Sequence, residues 1–181
     1  MFESIATGLA TPLLAYVVLP SFPLLYVILR WRAGGGDQPG IGSIAALLYL
    51  RSLAILGACS GLSLLLYGLW KPGDGEGTLR FAGGVLAASA VFLVVVFALT
   101  QRFGGPPPEH PARRIFSGFL LVVSGLVTFT AFLAVGVEVC SKDPDADTTR
   151  LFASFALVWF VAMVLAVLRL GRTGRALGAN P

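Results

Sequence analysis

Residues 41–70 read IGSIAALLYLRSLAILGACSGLSLLLYGLW. Coiled as one α-helix, this stretch is about 45 Å long at 1.5 Å per residue, whereas crossing the hydrocarbon of a bilayer takes about 30 Å, or roughly 20 residues. The surplus lies before Arg51, the one basic residue inside a hydrophobic run of this chain. Ser52–Trp70 covers about 27–28 Å by itself, so the predicted span is Ser52–Leu69, with a start that the pattern leaves loose.

Four more runs are long enough to do the same: Leu9–Leu29, Phe81–Leu99, Ile115–Val137 and Leu151–Leu168. A backbone exposed to lipid must satisfy its polar groups within itself, so each run is expected to be helical. The composition agrees. Of 181 residues, 56% are apolar and only 12% charged, where a soluble domain has roughly 45–50% and about 25%. The mean hydropathy is +0.86. These figures exclude disordered, collagen-like, disulfide-scaffold and soluble nucleic-acid-binding classes. The fold class expected is all-α: a polytopic transmembrane bundle of five spans forming one membrane domain, with no soluble domain.

Charge sets the expected orientation. The N-terminal segment and the loops Lys71–Arg80 and Glu138–Arg150 carry four basic groups against seven acids. The segments Arg30–Ser43, Gln101–Arg114 and Arg169–Pro181 carry eight arginines against two acids, Asp37 and Glu109. By the positive-inside rule the N-terminus lies outside and the C-terminus in the cytoplasm. The start does not read as a cleaved signal peptide, because it carries Glu3 and its apolar run is followed by Arg30-Trp31-Arg32. Trp31 and Trp70 fall at predicted helix ends, where an indole can be half in lipid and half wet. Arginine outnumbers lysine eleven to two, a usage associated with GC-rich bacteria, so a bacterial inner membrane is the expected location. The net charge of +4 is then mostly arginine beside anionic headgroups, each worth on the order of 1 kcal/mol of attraction, and calls for no nucleic acid.

The connectors are short and rich in glycine and proline, which end helices. Thr78 is a candidate N-cap for the third helix, and Thr148 or Thr149 for the fifth. Thr78-Leu79-Arg80-Phe81-Ala82 faintly resembles Thr149-Arg150-Leu151-Phe152-Ala153, each after an acidic loop. A duplicated hairpin behind a leading helix would produce that likeness, and so would chance.

Three sets of residues are candidates for function. Helices in lipid associate through small residues that let backbones approach, and Gly57-x-x-x-Gly61 is a direct example. Gly84 with Ala88, Ala162 with Ala166, and Gly118 with Gly125 are weaker ones, read as seams within the chain or else as contacts between chains. The second set is Pro20, Ser21 and Pro23. Two prolines deep in the first span would free the carbonyls of Tyr16 and Leu19, giving either a packing kink or a broken-helix binding site of the kind transporters use. The third is Arg51, Arg113 and Arg114, placed to meet lipid phosphate; Arg51 then snorkels from the cytoplasmic boundary.

Other motifs fail on their own terms. Asp143-x-Asp145-x-Asp147 opens like a calcium loop, but Thr148 stands where glycine is needed and Ser154 where the closing glutamate belongs. Gly40-Ile41-Gly42-Ser43-Ile44-Ala45 follows no strand. Pro108-Glu109-His110-Pro111 reads as a helix stop and start. His110 is the sole histidine, and Cys59 and Cys140 lie about half a membrane apart, so haem ligation, a disulfide within the chain and a thiolate metal site are not expected. No carboxylate falls mid-span and no serine has an evident base. The expectation is a non-catalytic membrane protein without cofactor or metal: a small subunit, scaffold or assembly factor whose partners are anionic lipid and other membrane subunits or itself. The alternatives are a carrier or channel for a neutral or hydrophobic solute and, less favoured, a lipid-acting enzyme.

Overall fold

In a computed structural model the described residues are 18, 21–33, 41–71, 75–103, 111–178. They form five helices: α1 (Ser21–Ala33), α2 (Ile41–Trp70), α3 (Glu76–Phe103), α4 (Pro111–Val139) and α5 (Ala146–Gly178). Four of them are long and apolar enough to cross a membrane, over Ser43–Trp70, Glu76–Arg102, Ala112–Val139 and Ala146–Gly171. These contain the last four of the five expected spans, each lengthened by one or more turns.

The first expected span, Leu9–Leu29, is met only in part. Its described portion belongs to α1, whose 13 residues extend about 20 Å. Pro20 and nearly all of the chain before it lie outside the described residues. Pro23 is buried and lies within α1, and the expected break at Pro20 falls outside the described residues.

Two other boundaries differ from expectation. α3 begins ahead of Thr78: the Leu79 amide donates to the Gly75 carbonyl over 2.9 Å, placing Thr78 inside the first turn. α5 is capped by Asp145 instead of Thr148 or Thr149. Its Oδ1 accepts from the Asp147 amide at 3.0 Å and its Oδ2 from the Thr148 hydroxyl at 2.6 Å. The Thr149 amide donates to the Asp145 carbonyl, closing the first turn. An acid suits this position because the first turn presents unpaired amides and a positive dipole end.

α2 is the central helix. It packs against all four others, and 39% of its most apolar stretch is buried, against 11% for α3, which among the described residues packs only on α2. α2 with α3 and α4 with α5 make the two most extensive pairings, and α2 also meets α4 and α5. Two clusters fill the interior. Val27 of α1, Ala45 and Leu48 of α2, and Ala112 and Phe116 of α4 meet near one end. Leu56 of α2, Val123 of α4 and Trp159 of α5 meet near the middle. Outward faces are largely apolar, including Val91, Phe92, Val94, Val95 and Phe97 on α3 and Phe129, Phe132 and Leu133 on α4. Apolar surface this extensive marks a contact with lipid or protein, not with water.

Candidate functional site

The α2–α3 seam is built by glycine. A Cβ placed on Gly57 would lie 2.6 Å from Ser89 Oγ, one on Gly61 2.9 Å from Leu86 Cγ, and one on Gly68 2.8 Å from Leu79 Cδ2. As the α2 number rises the α3 number falls, so the helices run antiparallel with backbones in near contact. On α3 the buried residues Ala82, Ser89 and Val96 recur every seven positions. That is the spacing of helices that coil about one another.

The remaining small residues stand elsewhere. Gly84 and Ala88 are exposed, and nothing lies within 4 Å of a Cβ on Gly84. The inner face of α3 is the one bearing Ala82 and Ser89, so the Gly84–Ala88 pair points out of the bundle. Gly118 is likewise open, while Gly125 of α4 faces Met163 of α5, with Sδ 3.7 Å from its Cβ position. The signal that distinguishes inside from outside on α3 is the seven-residue period, which a search for glycine pairs overlooks.

The bundle interior also holds hydroxyls. Ser52, Ser63, Ser89, Ser124, Thr128 and Ser154 are all buried. Each donates to a carbonyl three or four residues earlier, for example Ser52 to Leu48 at 2.9 Å and Thr128 to Ser124 at 2.7 Å. Such bonds let a polar side chain sit in an apolar helix core. The Trp159 indole N–H, fully buried, has no hydrogen-bond partner among the described residues.

The two ends of the bundle differ in charge. At the end formed by the α2–α3 and α4–α5 turns, basic groups are matched with acids. Asp147 meets Lys71 at 3.8 Å and Arg150 at 3.1 Å, and Arg80 meets Glu76 at 2.6 Å. Lys71 also stands 5.7 Å over the Tyr67 ring, and the Asp145 amide donates to Glu138 at 2.7 Å. Asp145 is held below the usual carboxylate range, first by the Thr148 hydroxyl and then by the Asp147 amide. Asp145 and Asp147 are thus occupied with capping and ion pairing. No group of three or more His, Cys, Asp or Glu side chains converges among the described residues.

The opposite end is basic. Arg51 and Arg113 are half-buried, whereas Arg114 and Arg169 are exposed. The charged groups that act on the Arg51 guanidinium are Arg169 of α5 and Arg113 of α4. Of the arginines expected to meet phosphate, Arg113 is near enough for its charge to act on Arg51, as is Arg169, while Arg114 is exposed. Chain order alone hides Arg169, which is 118 positions from Arg51 and reaches it only because α5 folds back along α2.

Along α1 runs an open hollow of about 350 Å³ lined by Val18, Ser21, Phe22, Leu24, Leu25 and Ile28. Its lining is apolar apart from Ser21. No family model, curated protein or solved structure matches the chain.

Proposed function

We propose that this chain is a non-catalytic integral membrane protein, with its basic end in the cytoplasm and its acidic turns outside, that works as a small subunit, scaffold or assembly factor by helix packing. The observation that supports this reading is the outward face of α3. Among the described residues that helix has one neighbour, and on its outer face Gly84 has nothing within 4 Å of its Cβ position and Ala88 is exposed. Small residues four apart let a second transmembrane helix approach closely, which is the chief source of helix affinity in lipid. A photo-crosslinker at Val91, exposed one turn beyond Ala88, should capture a protein partner in native membranes. Gly84→Leu should abolish that adduct without changing expression. Lipid adducts alone, from a chain that purifies as a lone monomer, refute the proposal.

A second reading, a carrier for a hydrophobic solute, is favoured by the apolar hollow along α1. It requires solute flux in proteoliposomes that falls when Ser21 and Phe22 are replaced. Unaltered flux removes it.

A further inference from the structure

We infer that the Trp159 indole and the hydroxyls of Ser63, Thr128 and Ser154 form an internal site for one bound water, where α2, α4 and α5 meet near the middle of their apolar stretches. Leu56, Val123 and Trp159 pack together there, with Cys59, Val127 and Phe155 against them. Thr128 follows Val127 and Ser154 precedes Phe155. Ser63 stands one turn beyond Cys59, to whose carbonyl its hydroxyl donates at 2.9 Å. The three hydroxyls therefore come from three helices at heights within about one turn of one another. Large side chains lean toward the N-terminal end of their own helix. The Trp159 indole thus leans from its Cα toward the level of Ser154 and Phe155.

Among the described residues the Trp159 indole nitrogen is the one buried side-chain nitrogen or oxygen without a hydrogen-bond partner. A donor left without an acceptor in apolar surroundings is costly, and native interiors pair such groups with protein or with ordered water. The hydroxyls at this level are buried too, and each donates its proton to a carbonyl of its own helix: Ser63 to Cys59, Thr128 to Ser124 at 2.7 Å, and Ser154 to Arg150 at 2.7 Å. Their oxygens are then acceptors only. The level offers one N–H and several lone pairs. Water complements both, accepting from the indole and donating to two hydroxyl oxygens, and two to four such bonds hold a buried water. A cation would use the hydroxyl oxygens but face the positive end of the N–H dipole, and an apolar molecule would satisfy neither. Leu56, Ser63, Ser154 and Trp159 are each 2% exposed or less, which leaves no opening there for a larger polar molecule.

The test uses the full chain in detergent micelles with nitrogen-15 in its three tryptophan indoles. Trp159→Phe identifies the Trp159 resonance. In the parent protein that indole proton should show the downfield position of a hydrogen-bonded N–H and a cross-peak to water with the sign of a bound molecule. Thr128→Val, Ser63→Ala and Ser154→Ala each remove one acceptor for the water's hydrogens, and at least two of them should shorten its residence about fivefold, the factor for one lost hydrogen bond. Ser89→Ala removes a buried hydroxyl from α3, which does not pack on α5 among the described residues, and should change nothing. A free indole N–H without a water cross-peak in the parent protein overturns the site, whatever the variants do. So does a hydrogen bond abolished by one hydroxyl replacement and untouched by the other two, which shows that a side chain accepts directly. A cross-peak equally weakened by Ser89→Ala also overturns it.

Discussion

Replacing Gly61 by alanine tests whether α2 and α3 are held by backbone proximity. The new Cβ would stand 2.9 Å from Leu86 Cγ, 3.0 Å from Cδ2 and 3.3 Å from the Leu86 backbone nitrogen. Carbon atoms pack comfortably at about 3.5–4.0 Å, so the gap must open by about 0.6–1.1 Å. Rotating the leucine tip does not relieve this, since Cγ is the branch point and the nitrogen belongs to the α3 backbone. The helices must part locally, and the contacts at Gly57–Ser89 and Gly68–Leu79 loosen with them. Overpacking of this kind costs about 1–3 kcal/mol. Alanine normally gains up to about 1 kcal/mol over glycine in a helix in water. In lipid that gain shrinks, because the separated segment is already helical. The net expectation is a loss of about 1–2 kcal/mol. Gly84→Ala, with nothing within 4 Å, should stay within about 0.5 kcal/mol of the parent. Both are read from reversible unfolding of the dilute chain in mixed micelles, titrated with a denaturing detergent and followed by tryptophan fluorescence. If the two variants differ by less than about 0.5 kcal/mol, the close-approach reasoning fails.

Asp145 titrates below its ordinary value in the folded chain, so its cap on α5 stabilises above the unfolded pKa of about 3.9 and is lost as pH falls through the lower folded value. A carboxyl-carbon titration with a midpoint at or above about 3.9 would contradict the capping geometry. Cys140 is exposed and Cys59 lies half-buried within α2. A membrane-impermeant maleimide should label Cys140 on intact cells and spare Cys59; labelling of Cys140 only after permeabilisation reverses the proposed orientation. Trp159→Phe keeps most of the packing against Leu56 and Val123 while deleting an unpartnered N–H, and should change stability by less than about 1 kcal/mol. Trp159→Ala should cost more, up to about 3–5 kcal/mol; equal losses from the two would show that the N–H matters.

Boundary errors in the sequence reading share a cause. Thr148 and Thr149 are sound capping residues, but Asp145 carries two acceptor oxygens and stands one turn earlier, where it satisfies the Asp147 amide and the Thr148 hydroxyl together. Thr78 is likewise a sound capping residue, but α3 begins ahead of it, with the Leu79 amide bonded to the Gly75 carbonyl. In both cases the residue's chemistry was read correctly and its place along the helix was not, because hydropathy says where lipid is crossed and little about where the backbone starts to coil.

Apolar length and charge were enough, without coordinates, to predict α2–α5 as spanning helices and to sort arginines from acids at alternate turns. Both are properties of consecutive residues set against the thickness and polarity of a bilayer. Which faces meet is another matter. Gly61 turns inward and Gly84 outward, and Arg169 comes within electrostatic reach of Arg51, through the packing of one helix on another. In lipid every apolar face is acceptable to the solvent, so hydrophobicity cannot choose among rotations of a helix about its axis. Shape does so through close packing, and shape exists only once the helices are assembled.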